Sequence, residues 1–162
     1  MQLISIADFF MGRDKSHAAE LTDDMRLAAA KLVPKVNAFL GEAQAAGVEL
    51  SLDNTTYSHV ASGWRPPAIN KAAGGAASSK HMSCHAVDIR DNAPGRQLCK
   101  FAVSAAGRAA LEKLGLYCEA PSYTPTWLHL QDQPPGSGKR FFLPYADVKK
   151  NPPKADLLPG EA

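Results

Sequence analysis

Ser79-Lys80-His81-Met82-Ser83-Cys84-His85-Ala86-Val87-Asp88-Ile89-Arg90 sets two metal-ligand types, His81 and Asp88, seven residues apart at the mouth of an alternating run. From 84 to 90 the alternation is that of a half-buried strand, in which every second side chain shares a face. Cys84, Ala86 and Asp88 are expected on one face and His85, Val87 and Ile89 on the other. Trp127-Leu128-His129-Leu130-Gln131 repeats the pattern, with Trp127, His129 and Gln131 opposed to Leu128 and Leu130. Paired, the two strands bury Val87, Ile89, Leu128 and Leu130 in a core while Asp88 and His129 look into a groove. The same parity argues against His85 as a ligand. Two imidazoles and one carboxylate suit a divalent cation with one corner open, the arrangement of a catalytic zinc; a structural zinc normally takes four protein ligands.

Outward from this pair, residues 21–47 form the best helical pattern. Thr22 suits the N-cap, Asp23 and Asp24 the positive end, and Gly47 the stop. Met25, Ala29, Leu32, Val36, Phe39, Leu40 and Ala43 make one apolar stripe, and Pro34 predicts a kink or a break into two helices. Residues 48–52 and 57–64 carry strand-like composition around the turn Asp53-Asn54-Thr55, and residues 66–80 are a Pro-, Gly- and Ala-rich loop. Residues 98–114 are helical with a break near Gly107, and 116–120 with 127–131 form a hairpin. The order predicts an α+β fold, a small antiparallel sheet with a metal groove flanked by helices. Six of the twelve prolines fall in residues 133–162, so this tail is expected as extended coil packed on the body or trailing from it.

At 162 residues one domain is expected, and 45% hydrophobic with 21% charged residues exclude disorder and fibre classes. A net charge of +2 gives no case for nucleic acid. No apolar run is long enough to span a membrane. Met1-Gln2-Leu3-Ile4-Ser5-Ile6-Ala7-Asp8-Phe9-Phe10 has no basic stretch and no small-residue cleavage site, so no classical secretory signal is expected and synthesis is placed in the cytoplasm. Cys84, Cys99 and Cys118 are odd in number and lack a Cys-x-x-Cys pair, which favours buried free thiols. His17 and His59 are read as ordinary solvated or packed histidines, Gly74-Gly75 as packing or flexibility, and a monomer is the default.

Ser79-x-His81, six residues, Asp88 and the later His129, preceded by Ser62-Gly63-Trp64-Arg65-Pro66, resemble the zinc metallopeptidases with the Hedgehog/DD-peptidase fold. These include D-Ala-D-Ala carboxypeptidases and dipeptidases and phage L-alanyl-D-glutamate endopeptidases. The resemblance covers residues 62–131. It implies a zinc ion on His81, Asp88 and His129, with hydrolysis of peptide bonds in peptidoglycan stem or cross-link peptides. It also implies an endolysin-like setting, with access to the wall through a holin or on a phage particle. Arg65 would grip a substrate carboxylate, Ser79 would bond backbone or substrate near the metal, and Trp127 would wall the groove.

One position departs from the family pattern. The glutamate that many members carry three residues before the last histidine is Thr126 here, and threonine cannot serve as a general base near neutral pH. If the hairpin pivots about Thr124, Glu119 stands opposite His129 on the same face, and it is taken as the catalytic carboxylate. Asp132 has the wrong parity. Two other readings stand beside the enzyme: a catalytically impaired metal-containing binding module or particle component, and a structural zinc domain with Cys84 as fourth ligand.

Overall fold

The computed structural model describes residues 3–144, so most of the proline-rich tail, 145–162, lies outside the described residues. Five strands form one sheet: β1 (Val60–Ser62), β2 (Ala86–Arg90), β3 (Tyr117–Glu119), β4 (Trp127–Gln131) and β5 (Phe141–Phe142), in the order β1-β2-β4-β3-β5. Every pairing is antiparallel except β3 with β5, so the α+β class is as expected but the sheet is mixed. The parallel pair arises because residues 132–140 carry the chain back before β5 is laid down, and part of the expected coil thereby becomes an edge strand.

One face of the sheet is apolar. Val87, Ile89, Leu128, Leu130 and Cys118 are fully buried there with Leu32, Val36, Phe39 and Leu40 of α3 (Asp23–Ala45). Thr22 caps α3 by accepting from the Met25 N–H, and the helix runs unbroken through Pro34. Of the expected kink or break, the break does not occur: the stripe buries Leu32, Val33 and Val36 on either side of the proline, and that packing outweighs one lost ladder bond. Ahead of α3, α1 (Ile6–Phe10) is held by a reciprocal Ser5/Asp8 cap and buries Phe9 and Phe10, followed by the single turn α2 (Arg13–Ser16).

Other boundaries moved for local reasons. Residues 48–52 form no strand; the Glu49 N–H donates to Gln97 Oε1 and the Ser51 carbonyl accepts from His59 Nδ1, two groups that a strand would have used. Of the second expected strand only Val60–Ser62 remains. The loop 66–80 contains α4 (Pro67–Ala72), with proline at its first turn where no donor is needed. Helical residues 97–114 divide into α5 (Gln97–Val103) and α6 (Ala105–Leu114) at Ser104, not at Gly107. Ser104 caps α6 through the Gly107 N–H, and Gly107 is needed because a Cβ there would collide with the Phe101 carbonyl.

Candidate metal centre

Strands β2 and β4 pair with Asp88 directly opposite His129, and Ala86↔Gln131, Val87↔Leu130 and Ile89↔Leu128 keep the alternation in step. Asp88 and His129 lie on the face opposite the core, and the loop before β2 brings His81 to them. One ligand atom from each of His81, Asp88 and His129 lies within 4.8 Å of the others, and all three residues are buried. Asp88 Oδ1 is 2.9 Å from His129 Nδ1 and 3.2 Å from His81 Nε2. The two ring nitrogens are 3.3 Å apart.

The outer partners fix which nitrogen faces the centre. His81 Nδ1 donates to the Gly63 carbonyl at 2.8 Å, leaving Nε2 for the cluster. His129 Nε2 donates to Gln131 Oε1 at 3.1 Å, leaving Nδ1, and Gln131 is itself oriented by donating to the Gln133 carbonyl. Such second-layer bonds are what a metal-binding histidine ordinarily carries, so this donor set fits a divalent cation. Neither Gly63 nor Gln131 was anticipated as part of the site. The signal for Gln131 was present, since it shares the His129 face; Gly63 acts through its carbonyl, which no side-chain reading detects.

Asp88 Oδ2 accepts from Arg65 Nη2 at 2.7 Å, and Arg65 Nε donates to Ser62 Oγ at 2.9 Å. Burial alone would raise the Asp88 carboxyl, but His81 and His129 beside it hold it well below the usual carboxylate range. Burial lowers His81, with Asp88 opposing. For His129 burial is outweighed by the bond and charge of Asp88 and by Glu119, so its basicity is raised. The opposite directions follow from the shorter contact of His129 with Asp88.

A row of one residue per strand crosses the sheet at this point. A bulge between Val60 and Ser62 turns Ser62 toward Asp88, Asp88 faces His129, and Glu119 lies beside Phe142. The pairs Tyr117↔Gln131 and Cys118↔Leu130 have the register expected for a hairpin pivoting at Thr124, and Glu119 is the next residue of β3 as His129 is of β4. Phe142 meets the His129 ring edge-on, with centroids 5.8 Å apart and planes at 87°. Thr126 is exposed at the entrance of β4, with its carbonyl accepting from the Asp91 N–H.

The remaining expected residues fall as follows. Ser79 Oγ accepts from the His81 N–H at 3.3 Å, so it braces the ligand loop. Trp127 opens β4, half-buried, and its carbonyl accepts from Arg96 Nη2. His85 bonds Asp132 at 2.8 Å, away from the cluster, while His17 bonds Glu20 and His59 bonds Ser51. Cys84 was placed on the ligand face by extending the strand, which is incorrect. Its φ of 63° breaks the alternation before β2 begins, the thiol is buried in the core, and burial pushes it up to about 12. Among the described residues the cluster contains no fourth ligand, which removes the support for a closed structural zinc site.

Gly63, the glycine of Ser62-Gly63-Trp64-Arg65, is required by a close approach: a Cβ would collide with the Phe9 carbonyl, which accepts from the Trp64 N–H. Trp64 is buried, its indole donates to the Met82 carbonyl, and the Arg65 N–H donates to the His81 carbonyl. That short segment therefore ties the ligand loop to the body and aims Arg65 at Asp88.

Among the described residues no helix is long and apolar enough to cross a membrane. A family model described as Peptidase M15 matches residues 48–124, somewhat under half of the chain, and this segment includes Arg65, His81, Asp88 and Glu119 but ends before β4. No curated protein and no solved structure matches the chain. Members of that family are metal-dependent peptidases, usually with zinc, and β4, beyond the matched segment, carries His129, the third residue of a cluster that could hold a metal ion. The matched segment, completed by His129 into a His-Asp-His cluster, makes residues 48–124 of this chain similar to the Peptidase M15 family.

Proposed function

We propose that the protein is a zinc-dependent peptidase that cuts peptide bonds in peptidoglycan stem or cross-link peptides, with zinc on His81, Asp88 and His129. The observation that carries this reading is the convergence of the three donor atoms within 4.8 Å on tautomers set by Gly63 and Gln131. Zinc in such a site supplies Lewis acidity to the scissile carbonyl and to water. Glu119, opposite His129, is the base that takes the proton of the attacking water and passes it to the leaving amine. Arg65 acts twice: it orients Asp88 and offers charge to a carboxylate on the substrate. Ser79 holds the His81 loop beside the substrate and Trp127 lines the groove entrance. A phage lysis role follows from the resemblance, with the protein made in the cytoplasm, acting as a monomer, and reaching the wall through a holin or on a particle.

Glu119→Gln tests the assignment on purified sacculi. Loss of amine release by at least about 100-fold with zinc retained is the expected result. A zinc-loaded wild type that releases nothing would instead favour the impaired binding module, a reading consistent with Thr126 in place of the family glutamate.

A further inference from the structure

We propose that Phe142 is the specificity-determining wall of the groove, contacting a small apolar side chain on the acyl side of the scissile bond. The proposal rests on the peptidase reading above. The row across the sheet has a cation at one end, where Ser62 holds Arg65, the ligands Asp88 and His129 in the middle, and Glu119 followed by Phe142 at the other end. A peptide lying along this row with its carboxylate toward Arg65 sets its acyl residue against the Phe142 ring. The ring is partly exposed, and the contact it makes with His129 is through an edge, so it keeps apolar surface for a ligand.

β5 is built to present this ring. Ala120 N–H donates to the Phe142 carbonyl and Cys118 N–H to the Arg140 carbonyl, which fixes the parallel register. Arg140 stacks over Tyr117 with its guanidinium 4.4 Å from the ring centre and donates to the Leu116 carbonyl. Arg108 covers Phe141 at 5.1 Å, and Phe141 is buried in the core. Two short strand residues thus carry more anchoring than their length requires, and alternation leaves Phe142 as the one directed to the ligand face.

The test uses L-alanyl-D-glutamate and glycyl-D-glutamate, which differ by one methyl group on the acyl residue. Burying that methyl corresponds to a preference of about fourfold, which zinc-loaded wild type is expected to show in kcat/KM. Phe142→Ala is expected to bring the ratio to about one and Phe142→Leu to keep most of it, with zinc affinity by chelator competition within about threefold of wild type. A full preference in Phe142→Ala, or a loss of zinc affinity with the preference intact, overturns the proposal. If zinc-loaded wild type cleaves neither dipeptide and releases no amine from sacculi, the peptidase reading fails. The wall is then read from equilibrium affinities for the same pair, where an unchanged preference in Phe142→Ala overturns it.

Discussion

Replacing Asp88 with asparagine keeps the shape of the side chain and removes the charge on which the whole centre is organised. The carboxylate, 6% exposed, accepts from Arg65 at 2.7 Å, from His129 at 2.9 Å and stands 3.2 Å from His81. An asparagine offers one acceptor and one NH2 group, so a donor must face either the guanidinium or an imidazole that also donates. Removing one partner of a buried ion pair costs about 3–5 kcal/mol, and the lower end applies because the Arg65 side chain remains 13% exposed. About 3 kcal/mol in a domain of this size lowers Tm by roughly 6–12 °C in chelator-treated protein. The pH dependence follows from the folded-state pKa values. Asp88 is held below its unfolded pKa of about 4, so its contribution is present above that pH and lost as pH falls toward the folded value. His129 is raised by Asp88, so its contribution is present below its unfolded pKa of about 6.5 and lost as pH rises through the folded value. Urea unfolding should therefore find the gap between wild type and Asp88→Asn widest at about pH 5–6 and narrower as pH rises through the folded value of His129. Zinc affinity should fall at least about 100-fold. Equal stability of the two proteins in chelator, together with equal zinc affinity, would refute the reasoning.

Gln131→Leu removes the acceptor that keeps His129 in its Nδ1-facing form; zinc affinity should drop by about 10–100-fold in a chelator competition, and an unchanged constant would show that Gln131 does not orient the ring. Wild-type zinc affinity should weaken steeply as pH falls below about 7, because a proton held by His129 competes with the cation; a flat profile down to about pH 5 would remove His129 as a ligand. Gly63→Ala drives a methyl into the Phe9 carbonyl and should cost at least about 2 kcal/mol in urea unfolding, whereas a neutral result would mean that the backbone yields there.

The ligand strands were legible because their periodicity is unambiguous. Val87, Ile89, Leu128 and Leu130 had to share a buried face, which left Asp88 and His129 the other, and a symmetric hairpin count put Glu119 opposite His129. Where the reading failed, a tertiary contact had replaced a local preference. Pro34 does not divide α3 because the stripe packs on both sides of it, and in residues 48–52 Gln97 and His59 hold two of the backbone groups that a strand would use. Cys84 turns to the core through a left-handed backbone that alternation cannot foresee.

Residue types and spacing determined the chemistry of this protein, a His-Asp-His set on alternating strands, because a period of two dictates which side chains share a face whatever the rest of the chain does. Tertiary structure alone decided the orientation of the set. The Gly63 carbonyl and Gln131 choose the facing nitrogens, Arg65 orders the carboxylate, and β5 arrives in parallel to set Phe142 against His129. Apart from Gln131, which stands two residues from His129 on the same strand face, these partners lie far apart along the chain or act through backbone atoms, and such contacts exist only once the sheet has closed over its core.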